Sequence, residues 1–315
     1  MSPYASESWP TSTFLNVENN VTEMLAGLCG CAVRFPTEAV LIELAGADAR
    51  SWLQGQITQD LRKLDDGGLR FCMCEPTGQM LADAAVWPKG ETLLVALDPE
   101  CADAFLRRVE RMVILEEVMA RRLDFRLHSI QGPMAREIGS KIDLIALPID
   151  RSGVGGIDVW LPTDMDAPSA ISELPSIGTD LAEIARIEAG IPRWGADMGP
   201  RTLPPEMGPA FEASRISYEK GCYTGQEVLM RIHSRGHTNR TWTGLVLEGP
   251  AASGDRVTVE GREIGWVTSA CESPRFGPIA LAMLRNEALS PGGGAAVDTA
   301  RGAVLSRFVP LPFGR

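Results

Sequence analysis

The stretch Leu69–Leu97, LRFCMCEPTGQMLADAAVWPKGETLLVAL, decides the fold class. From Leu69 to Trp87, two apolar runs flank Glu75-Pro76-Thr77-Gly78, the composition of a tight turn, and predict a β-hairpin. A third strand, Thr92 to Leu97, follows the Pro88-Lys89-Gly90 turn. Residues 99 to 112 then place Ala102, Phe105, Leu106 and Val109 at helical spacing, with Arg107, Arg108 and Glu110 turned outward. Upstream, Ala39 to Leu44 reads as a buried strand, and Gly46-Ala47-Asp48 opens a helix through Trp52 and Leu53. Strands mixed with helices, without strict alternation, predict an α+β protein.

Downstream, Gly132 to Ser152 gives no clear pattern, whereas Ile157 to Leu161 reads as a strand. Asp180 to Ala189 is a predicted helix with Leu181, Ile184 and Ile187 along one side and Gly190 as its stop. The Gly- and Pro-rich connection Ile191 to Pro209 is long enough to read as a functional loop. After Arg240 the texture changes. Short runs, Thr243–Leu247, Val257–Val259, Glu263–Thr268 and Ile279–Leu284, alternate with Gly, Pro and Ser turns and predict a small all-β barrel or sandwich. The expected organisation is a polar arm over residues 1–20, a body over 21–240 in which two subdomains can interleave, and a β unit over 241–315.

Composition narrows the function. The 315 residues are 44% hydrophobic and carry a formal charge of −11, so the chain can bury a substantial core and is a poor match for polyanions. Neither membrane attachment nor stable nucleic-acid binding is expected. The N-terminus lacks the basic start and apolar run of about 7 to 15 residues that mark a secretory signal, and no apolar run approaches the ~18 residues that span a bilayer. Seven cysteines without disulfide-rich spacing point to a reducing compartment, the cytoplasm.

The segment Lys220–Arg240, KGCYTGQEVLMRIHSRGHTNR, carries the most chemistry. Gly221 and Gly225 permit unusual dihedrals around Cys222 and Tyr223. Gln226 or Glu227 opens a short helix through Ile232, which Gly236 ends. A thiol just before a helix N-terminus and near Lys220 is in a setting that favours thiolate; equally, Cys222 can be a small buried hydrophobe. Arg231, Arg235 and Arg240, with His233 and His237, form a cluster able to hold an anion, or a solvated face in which Glu227 pairs with Arg231. The His-x-x-x-His pair lacks a third ligand and is interrupted by Gly236, so no metal site is expected. Cys29-x-Cys31 and Cys72-x-Cys74 have neither zinc nor cluster spacing and read as packing residues. Asp83, in the apolar run Met80–Val86, must face water or find a partner, and Glu188 in its apolar-faced helix raises the same question.

KGCYTGQE, with its continuation RIHSRGHTNR, resembles the signature of the YgfZ family, whose mitochondrial relatives assist iron-sulfur protein maturation. Arg186-Ile-Glu-Ala-Gly190, Trp194–Met198, and Gly265–Ser269 leading to Ile279–Ala282 are similar to the wider group that includes the glycine-cleavage T-protein, a tetrahydrofolate-dependent aminomethyltransferase. Gly46 to Asp60 and Gly78 to Asp83 are YgfZ-like as well. The resemblance implies a folate-binding α+β body with a central cavity, closed by a C-terminal β-barrel. It makes Asp83 the counterpart of the T-protein's catalytic aspartate and Cys222 a reactive thiol. It also implies that Glu188, Arg193, Trp194, Lys220, Tyr223, Gln226 and Arg231 contact tetrahydrofolate or a one-carbon derivative, with Lys220 and Arg231 favouring the thiolate. Val154, in Ser152–Asp158, stands where a folate-contacting glutamate would be.

Two activities are thus expected. The first is a folate-binding accessory protein that supports assembly or repair of iron-sulfur enzymes, including those that modify tRNA, with iron-sulfur client or assembly proteins as partners. The alternative is a folate-dependent aminomethyltransferase or methyltransferase in which Asp83 holds the amine or acts as a base.

Overall fold

The computed structural model describes residues 30–65, 67–290 and 292–314. The expected N-terminal arm and Cys29 lie outside the described residues. Two antiparallel sheets and a closed barrel build the molecule. The first sheet has the order β3-β4-β5-β2-β6, from β2 (Val40–Ala45), β3 (Leu69–Cys74), β4 (Met80–Lys89), β5 (Thr92–Leu97) and β6 (Met119–Arg122). The second has the order β1-β7-β9-β8, from β1 (Val33–Phe35), β7 (Phe125–Gln131), β8 (Ile145–Leu147) and β9 (Gly156–Pro162).

The hairpin forms as its turn residues require. The Gly78 amide donates to the Glu75 carbonyl at 2.8 Å, and Gly78 adopts φ +80°, where a side chain would be strained. The next reversal is displaced from its expected place. Pro88 and Lys89 continue the strand opposite Leu93 and Thr92, so the chain turns at Gly90, φ +58°. Helix α1 (Ala49–Gln56) and helix α2 (Pro99–Met112) cover one face of this sheet. Arg108, expected outward, is buried instead, because its guanidinium reaches back to Glu75 at 2.7 Å while its stem packs beneath. In the unpatterned region the chain forms α3 (Ala135–Ser140) and β8.

Helices α4 (Ser169–Ser172), α5 (Thr179–Glu188), α6 (Pro209–Arg215) and α7 (Gln226–Arg235) follow. Gly190, φ +61°, ends the α5 segment, and Gly236, φ +78°, ends α7. The barrel has the order β10-β13-β12-β11-β14-β15, from β10 (Arg240–Leu247), β11 (Arg256–Val259), β12 (Arg262–Ser273), β13 (Gly277–Arg285), β14 (Gly294–Thr299) and β15 (Gly302–Val309). Sequence reading found the first four of these strands and missed the last two. On β13 the pleat divides its residues cleanly. Ala280, Ala282 and Leu284 fill the barrel, while Ile279, Leu281 and Met283 join the main core with Trp194, Phe211, Tyr223 and Leu229. The barrel is therefore continuous with the body, and the segment between residues 191 and 235 is the layer that joins them. No described helix is long and apolar enough to cross a membrane.

Candidate functional site

The two sheets meet through Leu41, Ala85, Trp87, Leu94, Ala96, Leu147, Ile149 and Trp160. Beside this apolar contact the register assembles a set of charges. Cys72 lies opposite Asp83, and the pairing of Ala84 with Leu97 sets Asp83 beside Asp98 at the end of β5. One step along the same face, Arg70 lies opposite Ala85 and Ala85 opposite Ala96. Directly opposed residues share a face of the sheet, so Arg70, Asp83 and Asp98 stand around Ala85 and Ala96, which are themselves buried in the contact between the sheets. The facing sheet contributes Asp158, opposite Ser129. Arg151 forks onto Asp158 at 2.6 and 3.2 Å. Gln131 orders this side by accepting from the Arg151 amide at 2.8 Å and donating to Ser129 Oγ at 2.9 Å. Gly156 leaves the room this requires, since a Cβ there would lie 2.2 Å from Gln131 Oε1.

Asp83 has found a partner. Arg215, at the end of α6, donates to its two oxygens at 2.7 and 3.3 Å, with both side chains less than a tenth exposed. The guanidinium is itself fixed, lying 3.9 Å from the Phe211 ring centroid and donating to Ser214 Oγ at 2.7 Å. Two groups of the cluster remain without a partner among the described residues. The Nε of Arg70 is buried and makes no hydrogen bond; burial, and then the like charge of Arg215, pull this guanidinium down to about 10, still charged at neutral pH. Burial pushes the Asp98 carboxyl up, against the pull of Arg151 and with the repulsion of Asp83. The neighbouring thiols are inert. Burial raises Cys72 and Cys101, and lifts Cys74 to about 12.

The Lys220–Glu227 segment is positioned separately, against the turn after α1. Lys220 points inward and donates to the carbonyls of Gln54, Ile57 and Gln59 at 2.6, 2.7 and 2.9 Å. Its three donors are spent, so Lys220 cannot serve Cys222 or a ligand as expected, and burial pushes it down to about 8. Tyr223 is buried, its hydroxyl without a partner, and the Thr224 amide donates to Gly55 O at 3.3 Å. Between these anchors Cys222 is an exposed free thiol. That removes the buried-hydrophobe reading. Gln226, half-buried, starts α7, and Arg231 lies exposed on it. Of the basic tail, Arg240 is held by Glu206 at 2.8 and 3.0 Å and borders an open groove of about 940 Å³ with Trp266 and Arg285. His233 stacks on Tyr218 with ring centroids 3.7 Å apart. Among the described residues no group of metal-ligating side chains comes together.

Glu188, Arg193 and Trp194 occupy a third place, where the body meets the barrel. Glu188 is buried, accepting from Ser273 Oγ at 2.5 Å and pairing with Arg275 at 3.1 Å. Arg193 is exposed and reaches Glu183 at 3.5 Å; Trp194 is part of the main core. Val154 packs against the cluster of Val33, Phe35, Ile177 and Leu181. The structure therefore gathers only Asp83 of the expected residues into the inter-sheet cluster and adds Arg70, Asp98, Arg151, Asp158 and Arg215. The alternation Arg70-x-Cys72-x-Cys74 opposite Asp83 was the available signal for Arg70. Asp98, ahead of Pro99, looks like an ordinary helix cap.

Residues 240–313 match the glycine cleavage T-protein C-terminal barrel domain. The crystal structure of the glycine cleavage system aminomethyltransferase T from Bartonella henselae superposes with a TM-score of 0.81 at 19% identity, over 96% of this chain and 94% of that one. The fold is that of the glycine-cleavage T-protein. Along the sequence, an aminomethyltransferase of Rubrobacter xylanophilus is 28% identical over 87% of this chain and 80% of its own length. One from Moorella thermoacetica is 29% identical over 87% and 84%, and an uncharacterized protein of Haemophilus influenzae is 27% identical over 65% and 69%. The chain is thus similar to the T-protein superfamily along most of its length. The inter-sheet cluster lies in the body, on the face of the first sheet opposite the one whose core the barrel joins.

Proposed function

We propose that this chain is a tetrahydrofolate-binding accessory protein of the YgfZ type, supporting the assembly or repair of iron-sulfur enzymes, including those that modify tRNA, with Cys222 as the thiol it presents to its protein partners. The observation that carries this reading over aminomethyl transfer is the state of Asp83. A general base or amine-holding carboxylate needs a free lone pair within reach of the substrate, and Arg215 takes one lone pair of each Asp83 oxygen in a pair less than a tenth exposed, leaving a ligand only the remaining ones. The inter-sheet residues fit a folate head group, a planar heterocycle with donors and acceptors on one edge, because Arg70 offers an unused buried donor and Asp98 an unpaired acceptor. Bound tetrahydrofolate would supply a carrier for a one-carbon unit. The chain's own part is to orient that ring between the sheets and to hold Cys222 outward on the Lys220 and Tyr223 anchors.

Aminomethyl transfer is the second reading, favoured by the names of the relatives. Calorimetry with tetrahydrofolate on the wild type and on Cys222→Ala, followed by a turnover assay with an aminomethyl donor, separates the two. The accessory reading expects both proteins to bind with equal affinity and neither to turn over. Turnover abolished by Asp83→Ala would establish the transferase instead, and no folate binding by either protein would end both readings.

A further inference from the structure

Helix α7 packs one side against the β3–β4 turn and the main core, through Val228 and Leu229, and turns the other outward. Glu227, Met230, Arg231, Ser234 and Arg235 are all exposed, and offsets of three, four, seven and eight residues from Glu227 put them on one helical face. The charges of this face are unspent. The expected pair of Glu227 with Arg231 does not form, and among the described residues neither the Arg231 nor the Arg235 guanidinium has a hydrogen-bond or salt-bridge partner; only their carbonyls accept. The helix dipole accounts for an acid in the first turn and a base in the last, Glu227 and Arg235. It gives no reason for Arg231 in the middle, or for Met230, 37% exposed beside it. The chain as a whole carries a charge of −11, so an outward face with two free guanidinium groups and one carboxylate runs against its surroundings. The exposed thiol of Cys222 stands at the N-terminal end of the same helix.

We propose that the outer face of α7 docks an acidic segment of the protein partner that Cys222 meets, with Arg231 and Arg235 each taking a carboxylate and Met230 an apolar side chain beside them. The inference rests on the accessory reading above and deepens it by giving the chemistry of the partner. Four residues of helix rise by about 6 Å, so the matching carboxylates stand about 6 Å apart, as on successive turns of a helix or on alternate residues of a strand. A guanidinium group can hold a carboxylate through two parallel hydrogen bonds, and Met and Arg are residue types enriched in protein interfaces. A nucleic acid fits less well. Two guanidinium groups neutralise few phosphates, and the net charge of the chain repels the rest of a polyanion. A protein segment, by contrast, can bring two carboxylates and an apolar side chain together with little further negative charge. The face thus selects the partner and speeds encounter, and the thiol at its end meets what has been selected.

The test is thiol–disulfide exchange on the full chain with peptides whose terminal cysteine is activated as a mixed disulfide with thionitrobenzoate. The Cys222 thiolate attacks the peptide's sulfur, a new disulfide forms and coloured thionitrobenzoate leaves, with Cys222→Ala giving the background. Two otherwise identical helical peptides are compared, one with Glu at i and i+4 beside a Leu and one with Gln at both places, each rate divided by that for the neutral reagent dithiodipyridine. The acidic peptide is expected to react about tenfold faster at ~10 mM salt and within about twofold of the other at ~0.5 M. The double variant Arg231→Gln with Arg235→Gln should abolish the advantage, and Met230→Ser should slow both peptides by about threefold. Net charge alone predicts the opposite order, the acidic peptide reacting more slowly than the neutral one and gaining on it as salt is added. That outcome overturns the proposal, as does an advantage that survives the double variant. An oligothymidylate bearing the same activated thiol that outpaces the acidic peptide, and loses its lead in the double variant, overturns it in favour of nucleic acid. Tetrahydrofolate calorimetry on the wild type is independent of these rates: selection of the acidic peptide without folate binding keeps the surface and ends the folate reading, and the converse ends the surface alone.

Discussion

Asp83 shows how a single neighbour sets what a buried carboxylate can do, since Arg215 takes one lone pair of each of its oxygens. Arg215 and Asp83 are buried together, a geometry in which losing one partner strands the other's charge away from water. Arg215→Met is therefore expected to destabilise the chain by about 3–5 kcal/mol, read from urea denaturation. Adding Asp83→Asn should recover a large part of that loss, because the stranded charge is gone. A double variant no more stable than Arg215→Met would mean that packing on Phe211, and not the ion pair, is what Arg215 contributes. Asp98 presents the reverse case. Its folded-state pKa lies above the unfolded value of about 3.9, so the unfolded chain releases this proton first. The contribution to stability accordingly falls as pH rises from the unfolded value through the raised folded one, and stays low above it. Asp98→Asn should thus melt at a higher temperature than wild type at pH 7, with the gap closing as pH is lowered towards about 4. A gap that is constant with pH would assign the effect to something other than the charge.

Among the elements, the β3–β4 hairpin and the start of α7 depend on each other. Gly225 precedes α7 at φ +87°, and a Cβ there would lie 2.7 Å from the Glu75 carbonyl oxygen and 3.1 Å from Cys74 Cβ. A Cβ on Gly78, in the hairpin turn, would lie 2.9 Å from Val228 of α7. Two glycines thus let a turn and a helix start come into contact, and that contact holds the loop bearing Cys222. Gly225→Ala should cost about 1–3 kcal/mol in backbone strain, with the backbone clash adding to it, and should change the rate at which Cys222 reacts with a thiol reagent. An unaltered melting temperature and labelling rate would refute the dependence. Sequence alone revealed each partner and not their contact. The turn composition at Glu75–Gly78, the helical spacing over 99–112 and the Gly236 stop are local signals, and each element formed where they pointed. Arg108 was misplaced because the partner that draws it inward, Glu75, is 33 residues away. Arg70 and Asp98 lie beyond local reading for the same kind of reason: what brings them into one cluster is the register of β3, β4 and β5, which no window of neighbouring residues contains. The last two barrel strands follow the glycines of residues 292–294, whose turn character hid the pairing of β14 with β15 and β11.

At the scale of the whole molecule, the stretch around residue 190 that resembles the T-protein group fastens the barrel to the body. Arg186 donates to Asp197 at 2.6 Å and to Ser269 of the barrel at 2.9 Å. Asp197 in turn accepts from Thr268 at 2.6 Å and Ser269 at 2.8 Å, and Trp242 Nε1 donates to Thr268 at 3.2 Å. A few residues away Glu188 joins Ser273 and Arg275, and its carbonyl accepts the Phe313 amide at 3.0 Å. Most of these atoms are buried, so each bond is made in a low-dielectric setting where an unmatched partner is costly. The same residues that resemble the T-protein group, Arg186 to Gly190 and Trp194 to Met198, are therefore accounted for by the joint between body and barrel. Asp197→Ala leaves Arg186 with one fewer counter-charge and Ser269 Oγ without its acceptor, while Thr268 Oγ1 keeps the Leu281 carbonyl at 3.1 Å, and is expected to cost about 3–5 kcal/mol. The loss should be localised. Hydrogen exchange should accelerate first in β12, β13 and α5, which meet at this joint, while the β3–β4–β5 face that carries Arg70 and Asp98 keeps its protection. Tetrahydrofolate affinity at temperatures below the new midpoint should then be close to wild type. If the variant instead loses protection evenly across both sheets and binds folate more weakly in proportion, the barrel is not a separately fastened cap, and the joint stabilises the ligand site directly.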